Sequence, residues 1–301
     1  MGATFGLAAA VLWGLADFIG RFVARRIGPY RTTIYLQAVG FLLLCVFFEV
    51  QGGFHQLFAS VGGRWHPWAW GALAGLINAV ASFAFYTSLT KGKLSLVVPI
   101  SASYPALTLV LSMLSGEKVR WVNLLGIAVS LIGVVLAATA FDSASDGPAA
   151  PTNANGTLKH RTHLTSGVGW AICAAFGFGI LFWYIGYHVT PVLGGVPSVW
   201  IIRFSSLVAL ALAAAPVRQS IAFPRGSVWL LIPVMSACDT GAFMCNNIGL
   251  ARGPISVVTL LASLFSAVTV LLAGVFLRER LLRSQWVGIA LIFAGIILVN
   301  I

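Results

Sequence analysis

The chain has 301 residues, 59% of them hydrophobic and only 8% charged. A soluble domain carries about a quarter charged residues, so this deficit excludes a water-surrounded globule and points to lipid as the solvent. The net charge of +11 resides in Lys and Arg between apolar runs, where such residues orient membrane spans, so no nucleic-acid partner is expected.

A bilayer core takes about 20 residues of helix to cross. By that rule the sequence predicts ten spans, near residues 3–22, 33–50, 68–89, 94–115, 121–141, 167–188, 197–216, 227–250, 254–277 and 284–301. The expected fold is therefore an all-α membrane protein, because a barrel would alternate apolar and polar residues instead. The first run, MGATFGLAAAVLWGLADFIG, has no basic leader and no cleavage site, and reads as a retained helix. It carries Trp13 and Asp17, with Arg21 one turn after the acid. A local ion pair near the membrane surface is the simpler account of Asp17, and a direct transport role is the other.

The third span holds Asn78 and Tyr86, and the fourth holds Tyr104 within VVPISASYPAL. Pro99 and Pro105 each remove a backbone hydrogen bond there, giving either a gate or hinge or a static bend. The long polar stretch, residues 142–166, is rich in Pro, Ser, Asn and Gly and reads as a flexible linker. Beyond it come Trp183 and Tyr184 in the sixth span and Arg203 in the seventh. Trp65, Trp68, Trp70, Trp121, Trp229 and Trp286 sit near span ends and read as interfacial anchors. Cys45, Cys173, Cys238 and Cys245 show no metal or disulfide spacing, and the histidines are scattered. No metal and no cofactor is expected.

The eighth span contains SACDTGAFMCNN, residues 236–247. An ionised carboxylate at the bilayer centre costs at least about 2.5 kcal/mol, so Asp239 must face the bundle interior or a wet cavity. Met235, Asp239, Phe243 and Asn246 follow one helical stripe that offers acid, amide and aromatic surface to a polar solute. Two readings of Asp239 stay open: a group whose charge couples to substrate movement, and a structural ion pair with Arg203. On adjacent antiparallel helices the two enter at depths differing by about 8 Å, within reach of a long Arg.

The linker divides the spans five and five. FYTSLTKGKLSLVVPI (85–100) aligns with NNIGLARGPISVVTLL (246–261) at an offset of 161. Gly6 and Gly14 match Gly169 and Gly177 at 163, and Glu117, Gly126 and Gly133 match Glu279, Gly288 and Gly295 at 162. Asn78 then stands where the second half has Asp239. Both Glu117 and Glu279 fall at turns, where an acid favours a helix start. Five is odd, so the second half must enter the membrane from the opposite side. Such inverted repeats mark secondary transporters, with the site at the midplane between halves.

The two five-helix halves, Trp13-Gly14, Arg203 early in the seventh span, and the turn Gly116-Glu117 before a glycine-spaced helix resemble the EamA-like drug/metabolite transporter superfamily. The second such turn, Leu277-Arg278-Glu279, lacks the glycine. The resemblance implies helices 1–4 and 6–9 around a central cavity, with helices 5 and 10 flanking. It also implies export of small metabolites, including amino acids, sugars and nucleotide derivatives.

The expected function is gradient-coupled transport of a small polar or amphipathic metabolite by alternating access, with amino acids or related metabolites as exported cargo. Candidate substrate contacts are Trp13, Asn78, Tyr86, Tyr104, Trp183, Phe243 and Asn246. The expected partners are that solute, the lipid bilayer, and protons or another coupling ion. The expected location is a bacterial inner membrane. A channel or non-transporting scaffold is the alternative. An intramembrane enzyme would need a nucleophile with its base, or paired acids, and no HExxH or GxSxG is present. Loops after odd-numbered spans hold thirteen Lys and Arg against four after even-numbered spans, which would place the termini outside the cytoplasm. The family resemblance favours cytoplasmic termini.

Overall fold

The computed structural model describes residues 2–51, 64–92, 94–118, 120–138, 167–224 and 226–276, with isolated helical positions between 286 and 298. The predicted linker 142–166, Glu279 and most of the tenth span lie outside the described residues. The described elements are α1 (Gly2–Ile27), α2 (Pro29–Val50), α3 (His66–Lys91), α4 (Leu94–Ser101), α5 (Pro105–Leu114) and α6 (Trp121–Ala138) in the first half. In the second half they are α7 (Val168–Tyr184), a π turn (Ile185–Val189), α8 (Thr190–Leu193), α9 (Gly195–Ala214), α10 (Val228–Leu250), α11 (Ile255–Ala262) and α12 (Phe265–Phe276). Eight stretches of described chain are long and apolar enough to cross a membrane, with α4–α5, α7–α8 and α11–α12 each forming one stretch. The chain is an integral, multi-pass membrane protein.

The α1–α2 junction falls inside the predicted gap between the first two spans, with both helices extending into it. Gly28 takes φ +85°, its N–H donates to the Ala24 carbonyl at 2.9 Å, and Pro29 opens α2. A left-handed glycine ends a helix without steric cost, and proline fits a first turn whose N–H would be orphaned anyway. Arg25 and Arg26 extend α1 because cations suit the negative end of its dipole.

Close glycine contacts reveal which helices run together. A Cβ on Gly2 would meet Gly249 and Gly253, and one on Gly20 would meet Met235, so α1 and α10 are antiparallel. Gly167 abuts Gly92 and Gly177 abuts Ala81, so α3 and α7 are antiparallel as well. By contrast α1 runs with α11–α12, Gly6 lying on Val258 and Gly14 on Phe265 and Val268. Likewise α7 runs with α4–α5, since Ser101 Oγ donates to Ala171 O at 3.4 Å and Thr108 Oγ1 to Gly179 O at 3.0 Å. α3 runs with α9 through Gly71 on Ile201 and Gly75 on Ser205. α2 runs with α10 through Tyr35 on Trp229 and Gly40 on Thr240. Small residues at these seams permit backbone approach, which is how helices associate where lipid removes the hydrophobic drive.

The fourth span is broken at Ala102–Tyr104, between its two prolines. The ninth is broken at the equivalent Ser263–Leu264 with no proline nearby. There the N–H groups of Leu264, Ser266 and Ala267 all reach back three residues instead of four. Pro99 and Pro105 thus flank the break in the first half, while the second half makes the equivalent break without a proline. On the outside, Leu42, Val46 and Val50 along α2 and Leu73, Leu76 and Val80 along α3 are exposed, a one-sided apolar face suited to lipid. Trp65, Trp121 and Trp286 are exposed near the ends of the predicted spans.

Candidate functional site

A cavity holding about 530 Å³ of atom-free space, open mouth included, lies between the halves. α1 contributes Trp13 and Asp17 to its wall, one turn apart on one face. α3 contributes Asn78, Ser82, Phe85 and Tyr86, and Tyr104 enters from the break between α4 and α5. From the second half come Phe178 and Phe182 on α7, Arg203 on α9, Asp239 and Phe243 on α10, and Phe265 just after the α11–α12 break.

Arg203 organises the polar wall. Its Nη2 forms a salt bridge with Asp239 Oδ2, and Nη1 donates to Gln37 Oε1 at 2.8 Å. The guanidinium carbon lies 5.4 Å from the Phe243 ring centroid. Trp13 Nε1 donates to the other Asp239 oxygen at 3.0 Å, so side chains of α1, α2, α9 and α10 meet at one ion pair. Arg203 is 2% exposed, and a guanidinium so deep needs this many partners. Gly40 makes room for it: a Cβ there would stand 3.2 Å from Arg203 Nε. Asn78, the repeat equivalent of Asp239, ties α3 to α9 instead. Its Nδ2 donates to Ser206 Oγ at 3.0 Å, and that hydroxyl donates to Gly75 O at 2.7 Å.

Asp17 has no such network. It lines the cavity, is 5% exposed, and among the described residues receives no hydrogen bond or salt bridge. The expected pair with Arg21 is not formed, because the short carboxylate turns into the cavity instead of along the helix.

Around these charges stands an aromatic enclosure. Trp13 lies 5.6 Å from Phe182 and 6.0 Å from Phe243, centroid to centroid, and Tyr104 lies 5.0 Å from Phe182. Tyr104 Oη donates to Thr259 O at 3.1 Å, a carbonyl near the ninth-span break that also accepts from Ser263 N–H.

Two sequence candidates fall outside the wall. Trp183 does not line the cavity; its Nε1 donates to Ser115 Oγ at 2.8 Å beyond the end of α5. One residue is a rotation of about 100° on a helix, so its neighbour Phe182 takes the inward place. Asn246 shares the Asp239 face but lies about 10 Å further along, past the cavity floor. There it is fully buried and donates to Asn247 Oδ1 at 3.4 Å. Pro99 and Pro105 flank the break without lining the cavity. Sequence reading missed Gln37, although a lone amide inside an apolar run was a visible signal. It also missed Phe178, Phe182 and Phe265, whose inward direction no residue type announces. Glu117 acts at a helix start as expected, though across the halves: its Oε1 accepts from the N–H and hydroxyl of Ser256 in the first turn of α11.

A solved crystal structure superposes on this chain with a TM-score of 0.72, covering 99% of it and 95% of the other chain. At 19% identity the likeness concerns the fold alone. An uncharacterised protein of Methanocaldococcus jannaschii is 28% identical over 132 residues, spanning 91% of that protein but 44% of this chain. The EamA-like transporter family matches residues 1–139 and again residues 165–301. With both halves matched and a shared cavity between them, the chain belongs to the EamA-like transporter family, within the drug/metabolite transporter superfamily.

Proposed function

We propose that the protein is a secondary transporter that moves a small amphipathic metabolite by alternating access, exporting amino acids or related metabolites across a bacterial inner membrane. In this reading, residues 1–141 and 167–301 are inverted five-helix repeats joined by the linker 142–166, and protons or another ion drive the cycle. The observation that carries it is the cavity built from equivalent helices of both halves. The helix directions support the inversion: α1 is antiparallel to α10 and α3 to α7, whereas α1 runs with α11–α12 and α7 with α4–α5. Each pair has its counterpart with the halves exchanged. A midplane site at such a repeat interface is what alternating access requires.

The test is counterflow in proteoliposomes with labelled amino acids and related solutes. The expected result is saturable uptake driven by trapped unlabelled solute, weakened at least about tenfold by Asp239→Asn in protein that still folds. Flux that never saturates would indicate a channel, and no flux of any solute would indicate a scaffold; either overturns the reading.

A further inference from the structure

We propose that the surface where α1 ends, α2 and α10 begin, and α9 gives way to its following loop is a docking site for one anionic phospholipid. The lipid phosphate lies among Arg26, Arg31 and Arg218, and its acyl chains lie along the apolar side chains beside them. The inference rests on the chain being a membrane protein and is independent of the cargo and the transport cycle. Hydrogen bonds draw the parts together. Arg26 Nη1 donates to Ser227 Oγ at 3.2 Å, Arg31 Nη2 donates to the Ala222 carbonyl, and Tyr35 Oη donates to Ile221 O at 3.0 Å. The acceptors are all neutral, so they leave the charge of both arginines in place. Arg31 Nε is buried and has no hydrogen-bond partner among the described residues. The described acids stand elsewhere: Asp17 and Asp239 in the cavity wall, Glu49 and Glu117 near the far ends of α2 and α5. α2 and α10 also start here with no acid in the first turn, so the positive ends of their dipoles add to the field. Forked guanidinium donors in such a field suit phosphate oxygens.

A phosphate ion from water would satisfy the cations but not the surface around them. Between α9 and α10 the chain exposes Val217, Ile221 and Phe223. Phe223 lies 4.0 Å from Trp229, centroid to centroid, and Tyr35 stands edge-on to both rings. Trp and Tyr rings gather at the boundary between bilayer and water, so the oily surface and the cations share one depth. A phospholipid joins its phosphate to its chains at that depth, and basic recesses between membrane helices take anionic headgroups for the same reason. A choline headgroup brings its own cation to a face with no described acid to meet it. The anionic lipid is therefore favoured.

The experiment reconstitutes the full-length protein in phosphatidylcholine bilayers and follows quenching of tryptophan fluorescence by lipids with brominated acyl chains. A rising fraction of either brominated phosphatidylglycerol or brominated phosphatidylcholine is added. Both quench lipid-facing rings alike, so extra quenching by phosphatidylglycerol at low fraction reports the seat beside Trp229. Phosphatidylglycerol is expected to be preferred there at least about tenfold, and the extra quenching should vanish in Trp229→Phe. Arg26 and Arg218 are exposed, and the double variant Arg26→Gln/Arg218→Gln should bring the preference below about threefold. Sodium chloride at about 0.5 M should do the same to the unaltered protein. The control pair Lys118→Gln/Arg252→Gln, exposed on the opposite face, should leave the preference intact. Equal quenching by the two lipids overturns the proposal. So does a preference that survives Trp229→Phe, the arginine double variant or high salt, or one that the control pair removes as well. Displacement of phosphatidylglycerol by millimolar sodium phosphate also overturns it, assigning the arginines to a free anion.

Discussion

At the scale of single residues, the Arg203–Asp239 pair is where burial and charge compete. Separating two buried ions by deleting one leaves the other without compensation, at a cost of about 3–5 kcal/mol, whereas replacing both with apolar side chains is often neutral. Arg203→Met and Asp239→Leu are each expected to lower the melting temperature of the detergent-solubilised protein strongly, and the double variant should recover most of the loss. Additive losses would show that the pair is not the unit of stability. Most of this centre is legible in the sequence, because an acid and an Arg inside apolar runs have few places to go. The Asp17 environment is not legible: the spacing to Arg21 permits a local pair, and only tertiary packing decides that the acid turns inward.

At the scale of elements, the broken fourth and ninth spans carry Tyr104 and Phe265 to the cavity from equivalent positions. Since the ninth breaks without proline, Pro105→Ala is expected to change stability by no more than about 1 kcal/mol. Gly177→Val, on the α3–α7 seam, should cost about 1–3 kcal/mol, because its Cβ would press within 2.8 Å of Ala81 Cβ. Thermal melting of the two variants side by side checks both. A Pro105 variant that melts far below Gly177→Val would restore the proline to a structural cause. Periodicity gives helix positions well, but a proline in a sequence marks where a bend is tolerated more than why it exists.

At the scale of the whole molecule, the proposed two halves of five spans would put the linker on the face opposite to the termini. A reporter inserted between Asp142 and Ser166 should therefore read the opposite side from one fused after Ile301; the same side would exclude ten spans. That the chain is two related halves is legible from nearly constant offsets between matching residues. The side from which it enters the membrane is not, because loop charge and family resemblance pull in opposite directions. The halves also differ where it matters. The sixth span carries the π turn Ile185–Val189 while its counterpart α1 is regular throughout, and the first half has an amide, Asn78, at the place that matches Asp239. On an alternating-access cycle, the two end states interchange the roles of the halves. A see-saw with unequal arms does not rest level. One orientation of the empty protein should accordingly be the more populated, and the steps of loading and return should differ in speed even with no gradient across the bilayer.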